Sequence, residues 1–284
     1  MKNVIMILIL SFFLTSCASE AIYIKKAEEK DEFPFKAHYI DLENGKSTFF
    51  ELPNGECMLV DCGTTDDFPK IYEYLKNCDV GIIDYMVVTS NDLHHLGGAK
   101  KVIQNFTVHE MFVSKCIMNK SLYQSTANEA VSTKCLIHTA EGGTEIYSDD
   151  DLNISIVSPI NELYNKKEDY ALSLMISYGS MNFFVEGDCG LNSEIDMCTS
   201  IGKYLKSDVL SVANSGAGLT SSTDFLQKIS PKYAVIQVFG ENKPEKRILK
   251  VLEALGTYAL RTDTNGNIVI TSNKNAIVDI KTER

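Results

Sequence analysis

From residue 37 to the C-terminus, short apolar runs alternate with segments of helical spacing. Residues 37–42 and 47–52 are apolar or alternating runs, and Pro53-Asn54-Gly55 separates the second from a third run, 57–61. An Asn-Gly turn between such runs is the strongest local signal for a hairpin. Residues 68–77 carry Ile71, Tyr74 and Leu75 at helical spacing, and a helix is expected across residues 97–106 from Ala99, Val102, Ile103 and Phe106. Between them, residues 83–89 form a run of the kind buried on both faces. Further strands are expected at 111–113, 154–158, 171–178, 182–186, 209–213, 233–239 and 268–271, with helices at 192–205, 223–229 and 245–255. No Pro/Gly-rich linker and no repeat interrupts this mixture, so it predicts one α/β domain of about 250 residues.

The N-terminus follows a different pattern. Lys2 is followed by Val4 to Leu14, an apolar stretch of 11 residues broken only by Ser11. That is too short for a membrane-spanning helix, which needs about 20 residues, and it matches the apolar region of an export signal. Leu14-Thr15-Ser16-Cys17 then resembles the bacterial lipobox, in which the cysteine sulfur receives a diacylglycerol. The expected layout is an export signal at 1–16, a lipidated Cys17 with a charged tether to residue 35, and a domain at 36–284. The protein is thereby expected outside the cytoplasm, on the cell envelope, held to a membrane by acyl chains at Cys17.

Charge narrows the partners. Lys and Arg total 27 against 38 Asp and Glu, a formal net charge of −11. Binding to a polyanion draws on neutralised phosphates and released counterions, so stable nucleic-acid binding is disfavoured. Apart from Cys17, seven cysteines remain, an odd number with no C-x-x-C pair and no zinc-finger spacing. Free, mostly buried thiols are expected.

Five blocks suggest a family. AHYIDLENGKSTFFELPNGECMLVDCG (37–63), IDYMVVTSNDLHHLGGAKKVI (83–103), LSLMISYGSMNFFVEGDCG (172–190), the stretch 208–246 and RTDTNGNIVIT (261–271) occur in the order of the metallo-β-lactamase-fold family. They resemble in particular its ComEC-like competence-protein domains. The resemblance implies a four-layer αββα sandwich with a metal site in loops at one sheet edge. It also implies a hydrolase of phosphodiester or similar bonds, in which one or two metal ions lower the pKa of a bound water.

The family signature, His-x-His-x-Asp-His before Gly-Gly, falls here on Ser90, Asp92, His94 and His95, so only His95 keeps the family's residue type. Asp188 in Glu186-Gly187-Asp188 matches the bridging carboxylate. The His-His-Gly loop reads Asn214-Ser215-Gly216, and Pro244-Glu245-Lys246-Arg247 stands in the region of the last histidine. The opening Asp-Val-Gly-Gln-Gly-Asp reads Asp41-Leu42-Glu43-Asn44-Gly45-Lys46, with a lysine in place of an acid. Serine and asparagine are poor ligands for zinc, manganese or iron.

Two readings follow. Asp92, His94, His95 and Asp188 converge on one weakly bound divalent ion, zinc or manganese, with Asp61 supporting and Cys62 or Cys189 available as thiolates. Alternatively the pocket binds no metal, and the domain is catalytically impaired, a pseudoenzyme acting as a binding or accessory module toward an unknown ligand or protein. A phosphodiesterase- or nuclease-type hydrolase with a rearranged single-metal site is the alternative function, so whether the chain is an enzyme stays open at this point. A partner role in nucleic-acid uptake rests on analogy with the family alone. The remaining candidates have plainer readings. Residues 216–222 lack the lysine and spacing of a P-loop. His38, His109 and His138 beside apolar runs are expected to be structural, and Asp149-Asp150-Asp151 to be an exposed acidic turn.

Overall fold

The structure, a computed structural model, describes residues 33–284. The expected export signal, Cys17 and most of the tether lie outside the described residues. The first strand starts at Phe35, whose ring is fully buried.

Two mixed sheets form the centre. The first contains β1 (Phe35–Tyr39), β2 (Thr48–Glu51), β3 (Cys57–Val60), β4 (Ile82–Val88), β5 (Thr107–Ser114) and β6 (Leu136–Ala140), extended past β1 by β14 (Ile268–Ser272) and β15 (Ile277–Thr282), in the order β15-β14-β1-β2-β3-β4-β5-β6. The second contains β7 (Glu145–Ser148), β8 (Leu152–Ser158), β9 (Ser173–Tyr178), β10 (Met181–Val185), β11 (Val209–Ser211), β12 (Tyr233–Ile236) and β13 (Tyr258–Arg261), in the order β13-β12-β11-β10-β9-β8-β7. Alternate residues of both sheets, including Phe35, Phe50, Met58, Val87, Ile154, Ile176 and Phe183, fill one apolar layer between them. The opposite face of the first sheet packs against α1 (Phe68–Asn77), α3 (Ala99–Asn105) and α4 (Lys120–Ser132). The second sheet packs against α5 (Leu191–Ser200), α6 (Thr223–Ile229) and α7 (Lys246–Ala254). The result is the expected αββα sandwich.

Strand direction decides where the site lies. β3 runs parallel to β4, and β10, β11 and β12 are mutually parallel. The loops that leave their carboxyl ends therefore gather at one edge of the sandwich, the position that open parallel sheets use for ligands. A backbone bond joins the two sheets there, with Leu172 N donating to Thr89 O at 2.8 Å.

The α1 boundaries match the expected helix, Pro69 in the first turn and a buried Ile71–Leu75 stripe explaining both start and face. The strand expected at 233–239 stops at Ile236, because Gln237 turns its amide to Ser47 O (2.8 Å) and accepts from Thr48 Oγ1 (3.1 Å). The helix expected at 192–205 ends at Ser200, followed by a short 3-10 turn. All seven described cysteines are free; Cys62, Cys135 and Cys189 are buried, and the other four are half-buried rather than mostly buried as expected.

Candidate functional site

Glycines let the loops close in on one another. Gly98 carries no side chain where a β-carbon would run into the Cys62 carbonyl, which brings the start of α3 against the end of β3. Just before it, Asp92 caps the one-turn helix α2 (Leu93–Leu96) by accepting from His94 N at 2.8 Å. The same carboxylate oxygen is 2.8 Å from His95 Nδ1. The imidazole is therefore aimed by its own helix cap.

His95 is the centre of the site. It is 1% exposed, and its Nε2 lies 3.3 Å from Asp188 Oδ2. The other oxygen of Asp188 accepts from Lys46 Nζ at 3.0 Å and from Asn214 N at 2.7 Å. Lys46 is 3% exposed, and its ammonium also donates to the Val212 carbonyl at 3.2 Å. Asp61, buried behind them with φ 61°, accepts from Thr89 N and Oγ1, both at 2.8 Å. Asn214, Ser215 and Gly216 follow with φ of 45°, 53° and 72°. Three consecutive left-handed residues are a costly backbone for asparagine and serine, and they turn the Asn214 amide toward Asp188.

The charges are mutually compensating. Burial works to discharge Lys46, but Asp188, with Asp61 and Glu186, outweighs it and holds the ammonium protonated above its usual pKa. Burial likewise opposes the His95 charge, yet Asp61 and Asp188 raise its pKa well above that of a free imidazole. Burial would raise Asp188, but Lys46 and His95 hold it far below the ordinary carboxylate range. Asp92 is lowered too, burial being overcome by His95. Burial raises Asp61, although His95 and Thr89 oppose it. At neutral pH the core of the site is thus an ion-pair chain, Asp92–His95–Asp188–Lys46.

Three of the four expected ligands, Asp92, His95 and Asp188, come together. His94 does not join them: it is exposed, its Nδ1 lies 2.5 Å from Asn44 O, and its ring sits 5.4 Å from that of Phe239. Ser90 bonds Asp92 Oδ2 at 2.8 Å. Cys62 and Cys189 sit in the outer apolar clusters, where burial pushes both thiols well above their usual pKa. The 244–247 region laces the loop instead of facing the pocket, Arg247 donating to the carbonyls of Thr220 (2.9 Å) and Ser221 (3.0 Å). Two adjoining clefts of about 450 and 420 Å³ share Asp92, Asp188 and Asn214 as lining.

Sequence reasoning missed a second buried cluster. Glu186 and Glu194 are both fully buried, with Cys189 beside them, their ligating atoms within 4.8 Å of one another. Glu186 accepts from Ala213 N and Ser221 Oγ, and Glu194 from Ser222 N. Only the three-residue proximity of Glu186 to Cys189 was visible in the chain. Glu194 arrives through α5.

No protein-family model matches the chain. Among solved structures, it superposes on the metallo-β-lactamase fold protein YhfI from Bacillus subtilis with a TM-score of 0.55 and 12% identity, covering 80% of this chain and 95% of that one. Zn(2+)-bound PqqB from Methylobacterium extorquens gives 0.52 and 11%, covering 81% and 89%. The diiron β-hydroxylase CmlA from Streptomyces venezuelae gives 0.56 and 9%, covering 84% and 54%. Together with the two sheets and the edge site, these define a metallo-β-lactamase-fold protein. Its sequence is similar to that of ComE operon protein 3 from Bacillus subtilis (strain 168), 23% identical over 249 residues. The match takes in 81% of this chain and 32% of that protein, so the chain spans about a third of its relative.

Proposed function

We propose that this protein is a competence-related, metallo-β-lactamase-fold accessory module whose pocket binds without hydrolysing. One observation carries the reading: the Lys46 ammonium, 3.0 Å from Asp188, supplies the positive charge that a metal ion would bring to that carboxylate. The donor set does not fit a two-metal centre. Both nitrogens of His95 face carboxylates, Asp188 is engaged by Lys46, Asn214 and His95, and a cation entering beside Lys46 would meet like charge about 3 Å away, a repulsion of several kcal/mol. Water in the cleft then has no metal ion to lower its pKa, and the Lys46 ammonium is already committed to Asp188 and the Val212 carbonyl. What remains is a polar recess lined by Asp92, Asp188, Asn214 and Thr220, suited to hydrogen-bonding a ligand.

The test is turnover of phosphodiester, nucleic-acid, thioester and β-lactam substrates by the purified protein with zinc, manganese or iron(II). No rate above buffer is expected with any of them. Robust turnover that disappears in Asp188→Ala would replace this reading with a single-metal hydrolase.

A further inference from the structure

On the outer face of the first sheet, away from the edge site, three donors of different chemistry meet. Alternation along β1 and β2 sends Phe35, Ala37, Tyr39 and Phe50 inward and leaves His38 and Glu51 on the helix side. Cys78 arrives there as the C-cap of α1. His38 is 5% exposed, and its Nδ1 lies 2.9 Å from Tyr74 Oη. Its buried Nε2 faces Glu51 Oε1 at 3.0 Å and has no other side chain on it. The other oxygen of Glu51 accepts from Lys36 Nζ at 2.8 Å, a lysine that, unlike the buried Lys46, is partly exposed and can turn into solvent when a cation enters. The nitrogen, the carboxylate oxygen and the Cys78 sulfur all lie within 4.8 Å of one another.

We propose that His38 Nε2, Glu51 Oε1 and Cys78 Sγ form a zinc site that pins the end of α1 to the β1–β2 hairpin. The donors are imidazole, carboxylate and thiolate, the set zinc prefers. Tetrahedral bonds of about 2.0–2.3 Å place ligand atoms roughly 3.3–3.7 Å apart, within reach of side-chain adjustment from the observed spacing. Tyr74 supplies the outer contact that selects the tautomer: Nδ1–H donating to its oxygen leaves the Nε2 lone pair pointing at the site. Binding releases the Cys78 thiol proton to solvent. The fourth position opens on a cleft of about 580 Å³ lined by Phe49, Glu51, Cys57 and Cys78, from which water can complete the shell.

Cobalt(II) titration of the chelator-treated full-length protein tests this. One equivalent should bind with a thiolate-to-cobalt charge-transfer band in the near ultraviolet, and one equivalent of zinc should displace it. Cys78→Ser and His38→Gln should each abolish the band, and Tyr74→Phe should weaken binding about 10- to 100-fold. Cys198→Ser and His138→Gln should leave it intact. Absence of the band in the wild-type protein overturns the proposal without reference to any variant's folding. A band that survives Cys78→Ser, or that is lost in His95→Gln, overturns it equally and moves the metal elsewhere.

Discussion

At the residue scale, the molecule turns on what a single lysine does. Lys46 occupies the place of an acidic residue in the family it resembles, and its ammonium is buried between Asp188 and the Val212 carbonyl. A buried pair of this kind contributes little net stability, but removing one partner leaves an uncompensated charge and costs about 3–5 kcal/mol. Lys46→Met should therefore lower the melting temperature by roughly 10 °C, given about 2–4 °C per kcal/mol at this size. Adding Asp188→Asn to Lys46→Met should recover much of the loss, because the orphaned carboxylate is then neutral. Thermal melts of the two single variants and the double variant check this. Additive losses would show that Lys46 and Asp188 are not coupled.

At the element scale, α5 and α6 are joined to the end of β10 through the paired carboxyl groups of Glu186 and Glu194. Burial, and for Glu186 also the charge of Glu194, raises the pKa of both. Cys189 and Cys198 are their titratable neighbours, and Lys46 reaches Glu186 with an opposing, lowering influence. The folded pair thus holds a proton that the unfolded chain gives up above about pH 4.3. Its contribution to stability is complete below that pH and is lost as pH rises through the raised native values. As pH rises above about 4.3, the wild-type melting temperature should fall more steeply than that of Glu194→Gln, which removes one of the two raised carboxyl groups and the charge that Glu194 adds at Glu186. Parallel curves in differential scanning calorimetry would refute the shared proton.

The same scale shows what the chain discloses. α1 was legible because a proline-marked start and an apolar stripe agree. α4 was not, since only Thr126 and Ala130 of its 13 residues are buried and the rest reads as polar loop. β7 and β15 were missed as edge strands with no buried residue, which carry no alternating signal. At the site, Asp92, His95 and Asp188 were singled out by the family signature they align with, and the structure brings the three together. The Glu186–Glu194 pair and the His38–Glu51–Cys78 cluster were not, because each depends on a chain return that brings distant residues together.

At the scale of the whole molecule, two sheets enclosing one apolar layer place the loops of the candidate site at one edge, and the sequence's net charge of −11 gives a polyanion no overall long-range attraction. We propose that attachment to a membrane, rather than long-range attraction, brings such a domain to its ligand. The expected means is Leu14-Thr15-Ser16-Cys17, which lies outside the described residues and follows a short apolar run. One acyl chain gives marginal, reversible membrane binding, whereas a diacylglyceryl cysteine carries two, enough for stable attachment. Cys17→Ala, expressed in a bacterium with lipoprotein-processing machinery, should therefore move the protein from the membrane pellet to the soluble fraction or leave the signal uncleaved. Fractionation by immunoblot and the intact mass of the N-terminal peptide separate these two outcomes. A variant that sediments and is processed like the wild-type protein would show that Cys17 is not the anchor.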